Sequence, residues 1–90
     1  MEIKMQKRLS ISFELREDRG YDSLVLRLRH HDAVPVLPTQ WILLTSLTVD
    51  EIRRDLQTYI DPADRLLVTQ VASMSSRNLI DNDKFGTGTA

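Results

Sequence analysis

The chain has 90 residues, 41% of them hydrophobic and 28% charged, with twelve Lys and Arg against thirteen Asp and Glu for a net charge of −1. That length holds one small domain, the composition is not that of a disordered chain, and the near-neutral charge excludes a protein that coats nucleic acid through bulk charge. The absence of cysteine removes a disulfide framework, thiolate metal centres and cysteine nucleophiles.

The first eight residues, Met1-Glu2-Ile3-Lys4-Met5-Gln6-Lys7-Arg8, lack the apolar centre of a secretory signal. No window approaches the ~18 apolar residues of a spanning helix, so a cytoplasmic protein without a membrane partner is expected. Residues 1–6 read as a flexible leader and 7–80 as the folded domain. Residues 81–90, with Gly86, Gly88 and little apolar content, read as a disordered tail.

From Leu9 to Leu15 the apolar residues Leu9, Ile11, Phe13 and Leu15 alternate with Ser10, Ser12 and Glu14, the period of a half-buried strand. Arg16 to Gly20 is polar and reads as a loop. Tyr21, Leu24, Val25 and Leu28 then recur at helical spacing, which predicts a helix over 22–31 with Arg27 and Arg29 off its apolar stripe. Ala33 to Pro38 contains two prolines and suits only an edge strand. Thr39 to Thr45 is apolar on both faces, so it predicts a strand covered on both sides. Thr48 and Glu51 form a capping box ahead of Ile52, Leu56 and Ile60, a helix that Asp61-Pro62 stops. Arg65 to Ala72 is the last clear strand, and Ser73 to Ile80 leaves room for a short fifth.

The order β-α-β-β-α-β predicts an α+β fold of the ferredoxin-like plan, an antiparallel sheet with two helices on one face. Trp41 and Leu43 alternate with Ile42 and Leu44, so one apolar pair points away from the helices. On so small a sheet that patch points to homodimerisation through the open face or its edge. Cover by the carboxy-terminal segment is the other solution.

Among candidate site residues, Glu14 stands first. It ends the first strand on the face opposite the core stripe. Across the axis of a face-packed dimer, two Glu14 carboxylates would suit a hard cation, Mg²⁺ or Mn²⁺, able to activate water or clamp phosphate. The plainer reading is a solvated glutamate paired with a neighbouring arginine. His30-His31-Asp32 suggests a metal, yet adjacent helical side chains do not face each other and instead suit the negative end of the helix dipole. Arg16, Arg19, Arg27 and Arg29 offer a basic strip for phosphate, or a solvated face. Trp41 could stack a base, although a lone tryptophan in an apolar strand is usually core. Ser73, Ser75 and Ser76 read as a turn, and Gly86-Thr87-Gly88 lacks the context of a phosphate loop.

Several segments resemble one family. Ile11-Ser12-Phe13-Glu14-Leu15 is similar to the first-strand signature of the SinR-like and Cas-two-like superfamily of CRISPR-associated proteins, where an aromatic residue precedes an aspartate. Tyr21-Asp22-Ser23-Leu24, Gln40 to Thr48, Glu51-Ile52-Arg53 and Ile60 to Val68 resemble the SinR-like branch, so the likeness runs from about Ile11 to Val71. The resemblance implies a ferredoxin-like homodimer. Members of the CRISPR branch are described as metal-dependent nucleases or as scaffolds that bridge integrase subunits on DNA, whereas the SinR-like branch carries no settled activity. Phe13 matches the aromatic and Glu14 the metal-binding aspartate, while Arg16 and Arg19 fall in the loop that contacts phosphate. Glutamate is one methylene longer than aspartate, which shifts a metal pair tuned for the shorter side chain. The expectation is therefore a dimeric nucleic-acid-associated module, a scaffold or regulatory subunit with a nucleic acid or protein partner and at most weak catalysis. The alternative is a Mg²⁺-dependent endonuclease on RNA or DNA, with Glu14 at the dimer axis as catalytic residue and metal ligand.

Overall fold

The strict alternation of the first segment becomes strand β1 (Lys7–Glu14) in the computed structural model, which describes residues 6–16 and 21–80. Its odd positions Leu9, Ile11 and Phe13 are buried. Helix α1 (Tyr21–His30) buries Leu24 and Leu28. It ends in a Schellman arrangement: Ala33 N–H donates to Leu28 O at 3.0 Å and Asp32 N–H to Arg29 O at 2.9 Å. Asp32 takes the left-handed conformation (φ 60°) that glycine more often supplies at this position.

Strands β2 (Val34–Leu37) and β3 (Gln40–Thr45) follow as a hairpin. Helix α2 (Val49–Leu56) opens on the expected capping box: Glu51 N–H donates to Thr48 Oγ1 at 3.1 Å, and Thr48 N–H to Glu51 Oε1 at 3.0 Å. The α-helix stops at Leu56, short of Ile60, and tightens into a 3₁₀ turn over Gln57–Tyr59. There the Thr58 hydroxyl donates to the Asp55 carbonyl, a local bond of the kind that competes with the helical ladder. Strand β4 (Arg65–Gln70) completes the sheet.

The strand order is β2-β3-β1-β4 with every pair antiparallel. One core joins Leu9, Ile11, Trp41 and Leu43 of the sheet to Leu24 and Leu28 of α1 and Ile52 and Leu56 of α2, so both helices cover the same face. This is the ferredoxin-like topology. Strand β1 lies in the middle and β2 and β4 at the edges, which is why Pro35 is tolerated in β2.

No fifth strand forms among the described residues. The stretch 71–80 leaves β4 with Val71 N–H on Arg8 O at 2.8 Å and reaches the opposite edge with Ile80 N–H on Val36 O at 3.1 Å. Between these anchors it borders a crevice floored by Ser10, Ile42 and Val36 of the sheet and walled by Met74 and Leu79. Ile42 is 3% exposed beneath it, whereas Leu44 on the same face remains 43% exposed. The apolar pair turned away from the helices is thus half covered by the chain itself. The proposed leader (apart from exposed Gln6) and the proposed tail lie outside the described residues.

Candidate functional site

Glu14 stands where the sequence places it, at the end of β1 on the open face. The β1–β4 register sets it directly opposite Arg65, and Arg65 Nη1 lies 3.3 Å from Glu14 Oε1. Both side chains are largely in water, 71% and 82% exposed, so the pair is a weak cross-strand contact worth at most about 1 kcal/mol. Beside it lies a shallow depression formed by Ser12, Phe13, Leu66 and Leu67. The plainer reading of Glu14, a solvated carboxylate with an arginine neighbour, describes its surroundings.

Arg16 follows two residues later with an exposed side chain. Its backbone N–H donates to Asp64 Oδ1 at 2.8 Å, while Asp64 Oδ2 accepts from Asp61 N–H at 2.9 Å. Asp64 N–H in turn donates to Asp61 O, closing the Asp61-Pro62-Ala63-Asp64 turn with proline at its second position. Asp64 therefore ties the exit of β1 to the entry of β4 and brings Glu14, Arg16 and Arg65 to one end of the sheet. Arg19 lies outside the described residues. Neither Asp64 nor Arg65 stood out in the sequence. The Asp-Pro turn was the available signal for the first, and the second needed the register.

The other candidates are drawn into the helix layer. Arg27 forms a two-point contact with Asp55, Nε to Oδ2 at 2.7 Å and Nη2 to Oδ1 at 2.9 Å. His31 Nε2 lies 2.6 Å from the same Oδ2. An ionised carboxylate only accepts, so His31 donates to it through Nε2–H. The guanidinium of Arg27 also lies over the Tyr59 ring, 5.5 Å from its centroid. The paired hydrogen bonds from Arg27 hold the Asp55 carboxyl below the usual carboxylate range against the opposing effect of burial, and His31 adds to the lowering. The same bonds raise the Arg27 guanidinium above its ordinary value.

Arg27 is therefore not a phosphate-facing side chain, and Arg29 lies against Trp41, 5.4 Å from its ring centroid. Trp41 is 2% exposed and belongs to the core, not to a stacking platform. His30 and His31 meet edge to face with ring centroids 5.5 Å apart, and His31 turns to Asp55. Among the described residues no three His, Asp or Glu side chains gather where they could hold a metal ion, and no helix is long and apolar enough to cross a membrane.

Site and fold together define a ferredoxin-like α+β domain with a mixed-charge sheet end. The chain matches no protein-family model, no curated protein and no solved structure.

Proposed function

We propose that the chain is a dimeric binding module associated with nucleic acid, working as a scaffold or regulatory subunit. The observation that carries this reading is the pairing of Glu14 with Arg65. The carboxylate at the strand end has a guanidinium beside it where a nuclease would bring a second ligand for a hard cation. Exposed Arg16 and Arg65 at the same end supply donors for backbone phosphates. Exposed Leu44 and Leu67 on the open face supply apolar surface for a partner. With so few cations engaged, affinity for nucleic acid falls with rising salt on a shallow slope.

Fluorescence anisotropy on labelled single- and double-stranded RNA and DNA, across salt concentrations and with Mg²⁺ or EDTA, tests the proposal. Expected are salt-sensitive binding that weakens in Arg16→Ala and Arg65→Ala, and intact oligonucleotides after incubation with Mg²⁺. Mg²⁺-dependent cleavage abolished by EDTA and by Glu14→Ala overturns it in favour of an endonuclease. Absence of any binding at low salt removes the nucleic-acid part.

A further inference from the structure

The two edges of the sheet are protected very differently. Strand β2 has four residues, contains Pro35, carries a register irregularity between Pro35 and Leu37, and accepts a hydrogen bond from Ile80. Short length, proline, a bulge and a covering segment are the recognised means of blunting an edge. Among the described residues strand β4 has none of them. It runs six residues, Arg65–Gln70, with no proline and a single charge at its first position. Leu67, at its middle, is 60% exposed.

Strand β4 can also pair outward. The Val71–Arg8 bond sets the phase of the β1–β4 ladder. In an antiparallel pair, bonded and non-bonded positions alternate, so odd residues of β4 point their backbone groups at β1 and even residues point theirs away. Phe13 N–H, on Thr39 O, points to the β3 side as this phase requires. The N–H and C=O groups of Leu66, Val68 and Gln70 therefore face the free edge, and no described residue bonds to them.

We infer that this edge is the dimer contact, with β4 of a second copy added antiparallel about a twofold axis at Leu67. The inference rests on the dimeric reading above and specifies its interface. The strand is self-complementary in this register. Leu67 meets its own copy on the open face, and Leu66 meets Val68 of the second copy on the helix face. The single charge, Arg65, falls opposite Thr69 and not opposite itself. A register one pair further on sets Leu67 against Thr69 and loses the apolar match. Dimerisation makes one eight-stranded sheet with all four helices on one side. It also separates the two Glu14 carboxylates by roughly 20 Å at ordinary strand spacing and rise. They cannot share one ion, so this dimer and a Glu14-paired nuclease exclude each other.

The cysteine-free chain makes the test direct. Leu67 occupies a non-bonded antiparallel position, where Cα atoms approach to about 4.5 Å and a disulfide fits. Light scattering of the full chain is expected to give a dimer at micromolar concentration. Leu67→Cys crosslinks on mild oxidation while Leu44→Cys does not. Leu67→Lys, at an exposed position that leaves the fold intact by circular dichroism, raises the dimer dissociation constant at least tenfold. A wild-type monomer overturns the dimeric reading and this interface with it. A wild-type dimer that survives Leu67→Lys, or that crosslinks through Leu44→Cys instead, overturns the edge alone and leaves the dimer standing.

Discussion

Asp55 and Glu14 are both carboxylates facing an arginine, and they show how much environment decides what such a pair does. Asp55 sits between two helices, three-quarters shielded, with two bonds from Arg27 and one from His31. Glu14 sits at a strand end in water with one long contact to Arg65. The first is fixed by a planar guanidinium matching both oxygens, a geometry that gives strength and orientation together. The second is screened and pays side-chain entropy for a single contact. Asp55 braces α1 against α2, whereas Glu14 and Arg65 are left free to meet something else.

The sharpest way to break this contrast is Asp55→Ala. It leaves Arg27 and His31 without their acceptor and is expected to destabilise the fold by about 1–3 kcal/mol in chemical denaturation. A loss below about 0.5 kcal/mol, the range of ordinary surface substitutions, reduces the brace to a surface contact.

Acid probes the same pair. The folded-state pKa of Asp55 is depressed, so its contribution is complete above the unfolded aspartate value of about 3.9. It is lost as pH falls through the lower folded value. Wild-type stability should drop across that acidic window, and Asp55→Asn should flatten the drop while lowering stability at neutral pH. A profile unchanged by Asp55→Asn assigns the acid sensitivity to other carboxylates.

A third acidic residue widens the comparison. Asp32 holds the left-handed turn that ends α1, a conformation that disfavours residues with a Cβ. Asp32→Gly is expected to raise stability by roughly 0.5–1 kcal/mol through relief at the backbone. A loss instead shows that the Asp32 side chain contributes where only its backbone has been credited. Smallest of all is Glu14→Gln, with a change within about 0.5 kcal/mol. A larger loss in thermal or chemical denaturation means that the Glu14–Arg65 pair is structural.

The sequence made the architecture legible where period and chemistry agree. The alternation Leu9-Ile11-Phe13, the Thr48–Glu51 box and the prolines around β2 each act locally, and each appears where expected. The site was legible only in part. Glu14 could be placed on the open face from parity, but its partner Arg65 lies 51 residues away and is set by register, which no local pattern encodes. Arg27 reads as part of a basic strip or a solvated face, His31 as a helix-end residue, and nothing local marks Asp55, because their meeting depends on how α1 and α2 pack. The sequence shows that one of the pairs Trp41–Leu43 and Ile42–Leu44 needs cover, without saying which. Whether residues 71–80 or a second molecule supplied it turned on a segment without periodicity.

The central position of β1 has a consequence for how the molecule is made. The first strand of the described sheet to be synthesised needs β3 on one side and β4 on the other, and its pairing closes only when Gln70 reaches Leu9. Contacts so distant along the chain slow folding, since the intervening loop must close before they form. Strand β4 is thus both the last piece of the sheet and the edge assigned to the dimer. Under the inferred interface that edge exists only once β4 has been added to the sheet, so pairing through it would select chains whose sheet is complete.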